Sequence, residues 1–112
     1  IFPFLKNYYL KHINFDKDYL NQEIESSYLS GCFLIVKASI FSHINGFSNK
    51  IFLHLEDADL TRKCSYYGKT IHMPKATVIH KWERGSHKSI AQMFHLIRSL
   101  LVYSRLWGIK LY

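Results

Sequence analysis

The sequence predicts an α/β fold with few strands, flanking helices and a long C-terminal helix. Three patterns indicate this class. The run 28–37 is short, apolar and partly β-branched, which is typical of a buried strand. Residues 56–67 have apolar positions spaced by three and four, which is typical of an amphipathic helix. Residues 88–107 combine a wide apolar face with a narrow polar one, as a long helix does.

The sequence of the first part of the chain predicts an arm followed by one strand. Residues 1–27 mix aromatic side chains with Lys, Asn and Asp without a clean period, so we predict an N-terminal arm or linker. The run 28–37 is entered through Ser30 and Gly31 and should be buried. We expect Gly31 to let the backbone pass close to a substrate or to a neighbouring strand.

Two helices are predicted in the middle of the chain. Residues 38–46 have helical spacing, and Asn45-Gly46 should end that helix as a turn or C-cap. The amphipathic segment 56–67 should end at Gly68.

The last third predicts a strand pair and the long helix. Residues 69–82 read as two short strands around Pro74, which cannot donate to a strand ladder. A loop, 83–87, leads into the helix 88–107, whose apolar face we expect to serve as core and interface. The predicted strands are too few to form a stable sheet by themselves.

Composition narrows the possible partners. The chain has 112 residues, enough for one domain, with 15 Lys and Arg against 8 Asp and Glu and a formal charge of +7. This charge would suit anionic partners. Alternatively, it belongs to a basic solvated surface that has no specific partner. The basic residues are scattered and match no reader motif, so we predict no nucleic-acid binding. Two cysteines are too few for a disulfide framework and favour a reducing, cytoplasmic setting.

The chain also reads as a piece of something longer. It begins with Ile1 in the middle of an apolar pattern, and 48% of its residues are hydrophobic. Such a piece should expose apolar surface unless it finds a partner. We therefore expect either a homo-oligomer or a peripheral contact in which the long helix lies on the inner face of a membrane.

Acidic residues are concentrated in one turn of this basic chain. Glu56, Asp57 and Asp59 fall within "FLHLEDADLTRKC" (52–64), directly after an apolar run. One explanation is an ordinary acidic first turn that complements the helix dipole, with Asp59 and Arg62 as a surface pair. The other is a site that needs a carboxylate held in a pocket.

The residues from 28 to about 107 resemble the second half of the catalytic domain of family 2, GT-A fold glycosyltransferases. The shared pattern is a Ser-Gly strand entry, a short helix ending in Gly-Phe, Glu-Asp-x-Asp-Leu, and a strand closing on Val-Ile-His. It is most similar to bacterial rhamnosyltransferase-like enzymes of cell-surface polysaccharide synthesis. The resemblance implies that 28–112 is the acceptor-side, C-terminal half of a GT-A fold, with the nucleotide-binding half absent. Asn45 and the "FSNK" turn depart mildly from the pattern.

The resemblance implies an inverting transferase that moves a sugar from a nucleotide-sugar donor to a hydroxyl of a saccharide or lipid-linked acceptor. Asp57 would be the general base, and Glu56 and Asp59 would contribute to substrate binding or support the helix, with Gly31 close to the substrate. The alternative is a non-catalytic, basic interaction or membrane-surface module that oligomerises through its apolar face. Glycosyl transfer by this piece alone is not expected, because the donor half is missing.

The resemblance also implies a divalent metal, Mn²⁺ or Mg²⁺, which would need the absent Asp-x-Asp half. His80, at the end of the "ATVIH" strand, would complete its coordination, or it is a structural histidine at a strand end. In the loop that follows, Trp82 could stack on a sugar face, and Arg84 and Ser86 could meet phosphate. No Cys-x-x-Cys accompanies the histidines, so zinc is not expected.

Overall fold

A computed structural model describes residues 18–81 and 89–108. Within these ranges the chain is mixed α/β, with three helices and one two-stranded sheet. The elements, in chain order, are β1 (Ile24–Glu25), α1 (Ala38–His43), α2 (Glu56–Ser65), β2 (Ile71–His72) and α3 (Ile90–Trp107).

The sheet pairs the start of the described chain with its middle. β1 and β2 are antiparallel, and Ile24 lies opposite His72. The pairing continues beyond the strands, because the Ser26 amide donates to the Thr70 carbonyl oxygen at 2.9 Å. β1 falls inside the 1–27 segment that the sequence predicted as an arm. That prediction missed β1, because a two-residue strand leaves no period to detect.

Two predicted strands are not strands. The segment 28–37 includes no strand, and Ile35 in it is 83% exposed rather than buried. In 69–81, the described part of the predicted strand pair, only Ile71–His72 forms one, and Ile79 is fully exposed. The physical reason is that a strand needs a neighbour for its backbone groups, and these runs find none among the described residues.

The predicted end of the first helix is confirmed. α1 closes with the Gly46 amide donating to the Phe41 carbonyl oxygen at 2.8 Å. Asn45 and Gly46 both have left-handed backbones, with φ of 57° and 59°. A residue without a Cβ is needed at the second position, because a Cβ there would lie 2.8 Å from the Phe41 ring.

We expect Gly46→Ala to destabilise the fold by about 1–3 kcal/mol, through the left-handed backbone and the collision with Phe41. Urea unfolding measures the change. Gly68→Ala is the matched control, because a Cβ at Gly68 would meet nothing within 4 Å and the backbone there is not left-handed. Equal stability of the two variants would contradict the prediction.

α2 carries the small core of the described chain. Leu60 is 2% exposed, and Ala58 is buried on the same helix, together with Ile24 of β1 and Ile51 of the preceding loop. The predicted stop at Gly68 is wrong by a few residues. α2 ends at Ser65, and a tighter turn follows, in which the next two amides bond to carbonyls three residues back.

A buried polar contact joins α2 to α3. Asp59 is fully buried, pairs with Lys63 at 2.8 Å, and accepts a hydrogen bond from Trp107 Nε1 at 2.8 Å. The predicted surface pair of Asp59 with Arg62 is therefore wrong. Arg62 instead lies over the Trp107 ring, 4.7 Å from its centroid. Asp59 fastens the two helices together.

α3 contacts the rest of the described chain through a side that includes His95, Ser99 and Trp107. Ser99 is buried and donates from its hydroxyl to the Leu53 carbonyl oxygen at 2.6 Å. The wide apolar side points outwards, so it is not part of the described core. We call this side the outer face of α3; its members are Ile90, Phe94, Ile97 and Leu101. None of the described helices has the length and apolar character needed to cross a membrane.

Candidate functional site

Asp57 is held in place by three hydrogen bonds. Its Oδ2 accepts from the Tyr28 hydroxyl at 3.0 Å and from the Gly31 amide at 2.8 Å. Its Oδ1 accepts from the Ala58 amide at 2.8 Å. The side chain is partly buried, so it is neither in bulk water nor sealed in the core. This is a fixed carboxylate with solvent access.

The segment before α1 wraps onto the first turn of α2. Thr61, which is buried, donates to the Asp57 carbonyl oxygen at 2.7 Å. The Leu29 amide in turn donates to the Thr61 hydroxyl oxygen at 3.4 Å. Segment 28–31 is thereby anchored to α2 next to Asp57, which explains why Tyr28 and Gly31 reach the carboxylate across more than twenty residues of chain.

Gly31 lies directly against the Asp57 side chain. A Cβ added at Gly31 would be 3.3 Å from Asp57 Cβ and 3.4 Å from Oδ2. The close approach that the sequence suggested for this glycine therefore involves the carboxylate of α2. Its expected contact with a substrate stays a prediction.

The environment of Tyr28 keeps its hydroxyl protonated. Partial burial, followed by the negative charge of Asp57 and the hydrogen bond to it, raises the pKa of Tyr28 to about 12. Glu56 and Cys32 act on the pKa in the same direction. The hydroxyl therefore remains a donor to Asp57 throughout the pH range in which proteins normally work.

The approach to α2 is strained and contains unpaired polar atoms. His54 and Leu55 have left-handed backbones, with φ of 65° and 66°, which is uncommon for residues with a side chain. Among the described residues, His54 Nε2 and Glu56 Oε2 are buried without a hydrogen-bond partner. Such atoms cost about 1–3 kcal/mol each when unsatisfied, so each would gain from a hydrogen bond to water or to a bound group.

His80 is one of the predicted site residues that the structure describes. It is exposed, and within 18–81 and 89–108 no hydrogen bond joins it to the Asp57 carboxylate. Trp82, Arg84 and Ser86 lie outside the described residues. Asp59 points to α3 and is enclosed there, where it accepts a hydrogen bond from Trp107. Its predicted contact with a substrate stays a prediction.

The described residues do not form a metal centre. They include no group of three or more His, Cys, Asp or Glu side chains placed to hold an ion. His80 is at most a single ligand. The divalent metal implied by the resemblance would need ligands beyond these residues, and the role of His80 as one ligand stays a prediction.

A cavity of about 510 Å³ is lined in part by the residues on either side of Gly31. Ser30 and Cys32 line it, together with residues on and after β2, including His72 and Met73. Most of its wall is apolar, and Asp57 is not part of that wall. This cavity is therefore not the pocket that the sequence suggested around the acidic turn.

Sequence reasoning missed Tyr28 and Thr61. Tyr28 is the first residue of the predicted strand 28–37, and Thr61 lies within the predicted helix 56–67, but neither belongs to a catalytic motif. Tyr28 contacts the Asp57 carboxylate across 29 residues of chain. Thr61 donates locally to the Asp57 main-chain carbonyl, and its long-range contact is to Leu29.

Comparison with known proteins gives one partial likeness. Two curated proteins, both named N-acetylglucosaminyl-diphospho-decaprenol L-rhamnosyltransferase, match the chain. They come from Mycobacterium tuberculosis strains CDC 1551 / Oshkosh and ATCC 25618 / H37Rv. Each is 35% identical over 54 residues, which is 47% of this chain and 18% of the relative. No family model matches, and no solved structure matches significantly. Over this stretch the chain is similar to a glycosyltransferase.

Proposed function

We propose that this chain is the acceptor-side part of an inverting, family 2 glycosyltransferase with a GT-A fold. The enzyme transfers a sugar from a nucleotide-sugar donor to a hydroxyl of a saccharide or lipid-linked acceptor. The observation that carries the proposal is Asp57, a carboxylate at the start of α2 that is fixed by Tyr28, Gly31 and Ala58 yet remains open to solvent.

The reaction needs one proton acceptor. The acceptor hydroxyl attacks the anomeric carbon, and its proton passes to the Asp57 carboxylate. The bond between that carbon and the leaving oxygen breaks, and the nucleoside diphosphate departs with the electron pair. General-base catalysis of this kind contributes about 10²–10⁴-fold in rate. A carboxylate that is already oriented needs no rearrangement as the proton moves.

Glu56 is the second group that we assign to the acceptor. Its Oε2 is buried without a partner in the described part of the chain, one residue before the proposed base. A sugar hydroxyl donating to this oxygen would satisfy it and would orient the acceptor ring. The similarity to rhamnosyltransferases that act on a diphospho-decaprenol carrier supports the same class of acceptor.

A donor and acceptor screen of the full-length protein tests the proposal. Nucleotide-activated L-rhamnose, with other nucleotide sugars for comparison, is supplied with an N-acetylglucosaminyl-diphospho-polyprenol. We expect release of the nucleoside diphosphate and a product of inverted anomeric configuration by NMR. A product of retained configuration, or no turnover with any donor, would contradict the proposal.

The outer face of α3 favours a second candidate function, contact with an acidic lipid surface. Phe94 is 73% exposed, and Ile97 and Leu101 are exposed beside it. Arg98 and Arg105 are exposed on the same helix, which has no acidic residue. An apolar stripe flanked by arginines complements a membrane that carries anionic lipids.

Vesicle sedimentation tests this contact. We expect the protein to bind phosphatidylcholine vesicles that contain phosphatidylglycerol, and to bind pure phosphatidylcholine much more weakly. Phe94→Gln should weaken the binding several-fold. Leu20→Gln should not, because Leu20 is also an exposed apolar residue but is far from α3 in the sequence. Self-association in solution without any vesicle binding would instead indicate that a second copy covers the outer face.

A further inference from the structure

We infer that Oδ1 of Asp57 takes the proton from the acceptor, and that Tyr28 is a positioning residue that fixes Oδ2. The inference rests on the proposed function and goes beyond it, because it identifies the reacting oxygen and a further residue that controls it. It is drawn from the hydrogen bonds around the carboxylate.

The lone pairs of the carboxylate are unequally occupied. A carboxylate offers about four acceptor positions, two on each oxygen. Oδ2 has two donors, the Tyr28 hydroxyl and the Gly31 amide. Oδ1 has one, the Ala58 amide. The position left for an incoming hydroxyl is therefore on Oδ1.

Tyr28 and Gly31 also prevent the two oxygens from exchanging places. The terminal torsion of an aspartate is soft, so an unrestrained carboxylate would rotate readily. Here both donors to Oδ2 come from segment 28–31, which is anchored to α2 through Thr61. Rotation would break two hydrogen bonds at once, so Oδ1 remains the oxygen with an unoccupied acceptor position.

Tyr28 can perform this role at any working pH. Its raised pKa keeps the hydroxyl protonated, and the titratable groups that act on it are Asp57, Glu56 and Cys32. All three raise the pKa of Tyr28, and none removes the donor. Tyr28 does not exchange a proton with the substrate. It holds the group that does.

Tyr28→Phe in the full-length enzyme tests the inference, because it removes only the hydroxyl. We expect kcat to fall roughly tenfold, with the KM for the acceptor changed less than about twofold. Tyr67→Phe is the control; that ring contacts His43, not Asp57.

Gly31→Ala provides a second, independent variant, because its Cβ would press on Asp57 Oδ2 from the same side. We expect a few-fold loss of kcat there as well. Wild-type kinetics in both variants would overturn the inference while the transferase function stood. A fall in kcat that is matched by an equal rise in the KM for the acceptor in Tyr28→Phe would show a merely structural role and would also overturn it. Absence of turnover in the wild-type enzyme would instead remove the proposed function itself.

Discussion

Asp57→Asn should reduce sugar transfer by the full-length protein at least about 100-fold, with donor binding nearly intact. The amide is almost the same size as the carboxylate, so the fold should survive. Tyr28 and Gly31 both donate to the Oδ2 position and will select the amide oxygen there. The NH₂ group is then turned to the Oδ1 position, where it cannot accept a proton. Steady-state kinetics and donor titration by calorimetry measure the two effects separately.

Glu25→Gln is the matched control for this prediction. It makes the same carboxylate-to-amide change on an exposed side chain of β1, which forms only a loose ion pair with Lys69 at 3.5 Å. We expect wild-type turnover from this variant, because exposed pairs contribute little. Turnover retained in Asp57→Asn would refute the assignment of the base.

The second large effect is expected at Asp59. Asp59→Ala should destabilise the fold by about 2–4 kcal/mol, because it leaves Lys63 and the Trp107 indole NH without their buried acceptor. Lys63 has 23% of its side chain exposed and can therefore turn to water, which brings the expected loss towards the lower part of that range. Urea unfolding followed by Trp fluorescence measures the change and reports on the α2–α3 contact directly.

Glu25→Ala again supplies the comparison, since both side chains of its ion pair are mostly exposed. Its stability should lie within about 0.5 kcal/mol of wild type. If Asp59→Ala were equally mild, the contact to Trp107 would not be what holds α3 against α2.

Local patterns predicted the helices well. The spacing at 38–46, 56–67 and 88–107 led to α1, α2 and α3, because a helix satisfies its own backbone groups and leaves a period in the sequence. The strands were predicted poorly. The apolar runs 28–37 and 76–80 have strand composition, yet a strand also needs a neighbour, which composition does not specify.

Some features of the candidate site could likewise be predicted from the sequence, and others could not. The concentration of Glu56, Asp57 and Asp59 in one turn is visible in the sequence, and so is the glycine at 31. The hydrogen bond from Tyr28 to the carboxylate, and the contact between Thr61 and Leu29, became apparent only from contacts between distant parts of the chain.

The sequence alone determined that this basic chain places three carboxylates at the start of an amphipathic helix. Only the tertiary structure decided what Asp57 and Asp59 contact. Asp57 and Asp59 are two residues apart and therefore point about 200° away from each other around α2. One side of the helix meets segment 28–31 and the other meets Trp107. Helical phase is a local property, but the identity of the neighbour on each side depends on long-range packing, and that neighbour makes one aspartate an accessible acceptor and the other a buried clamp.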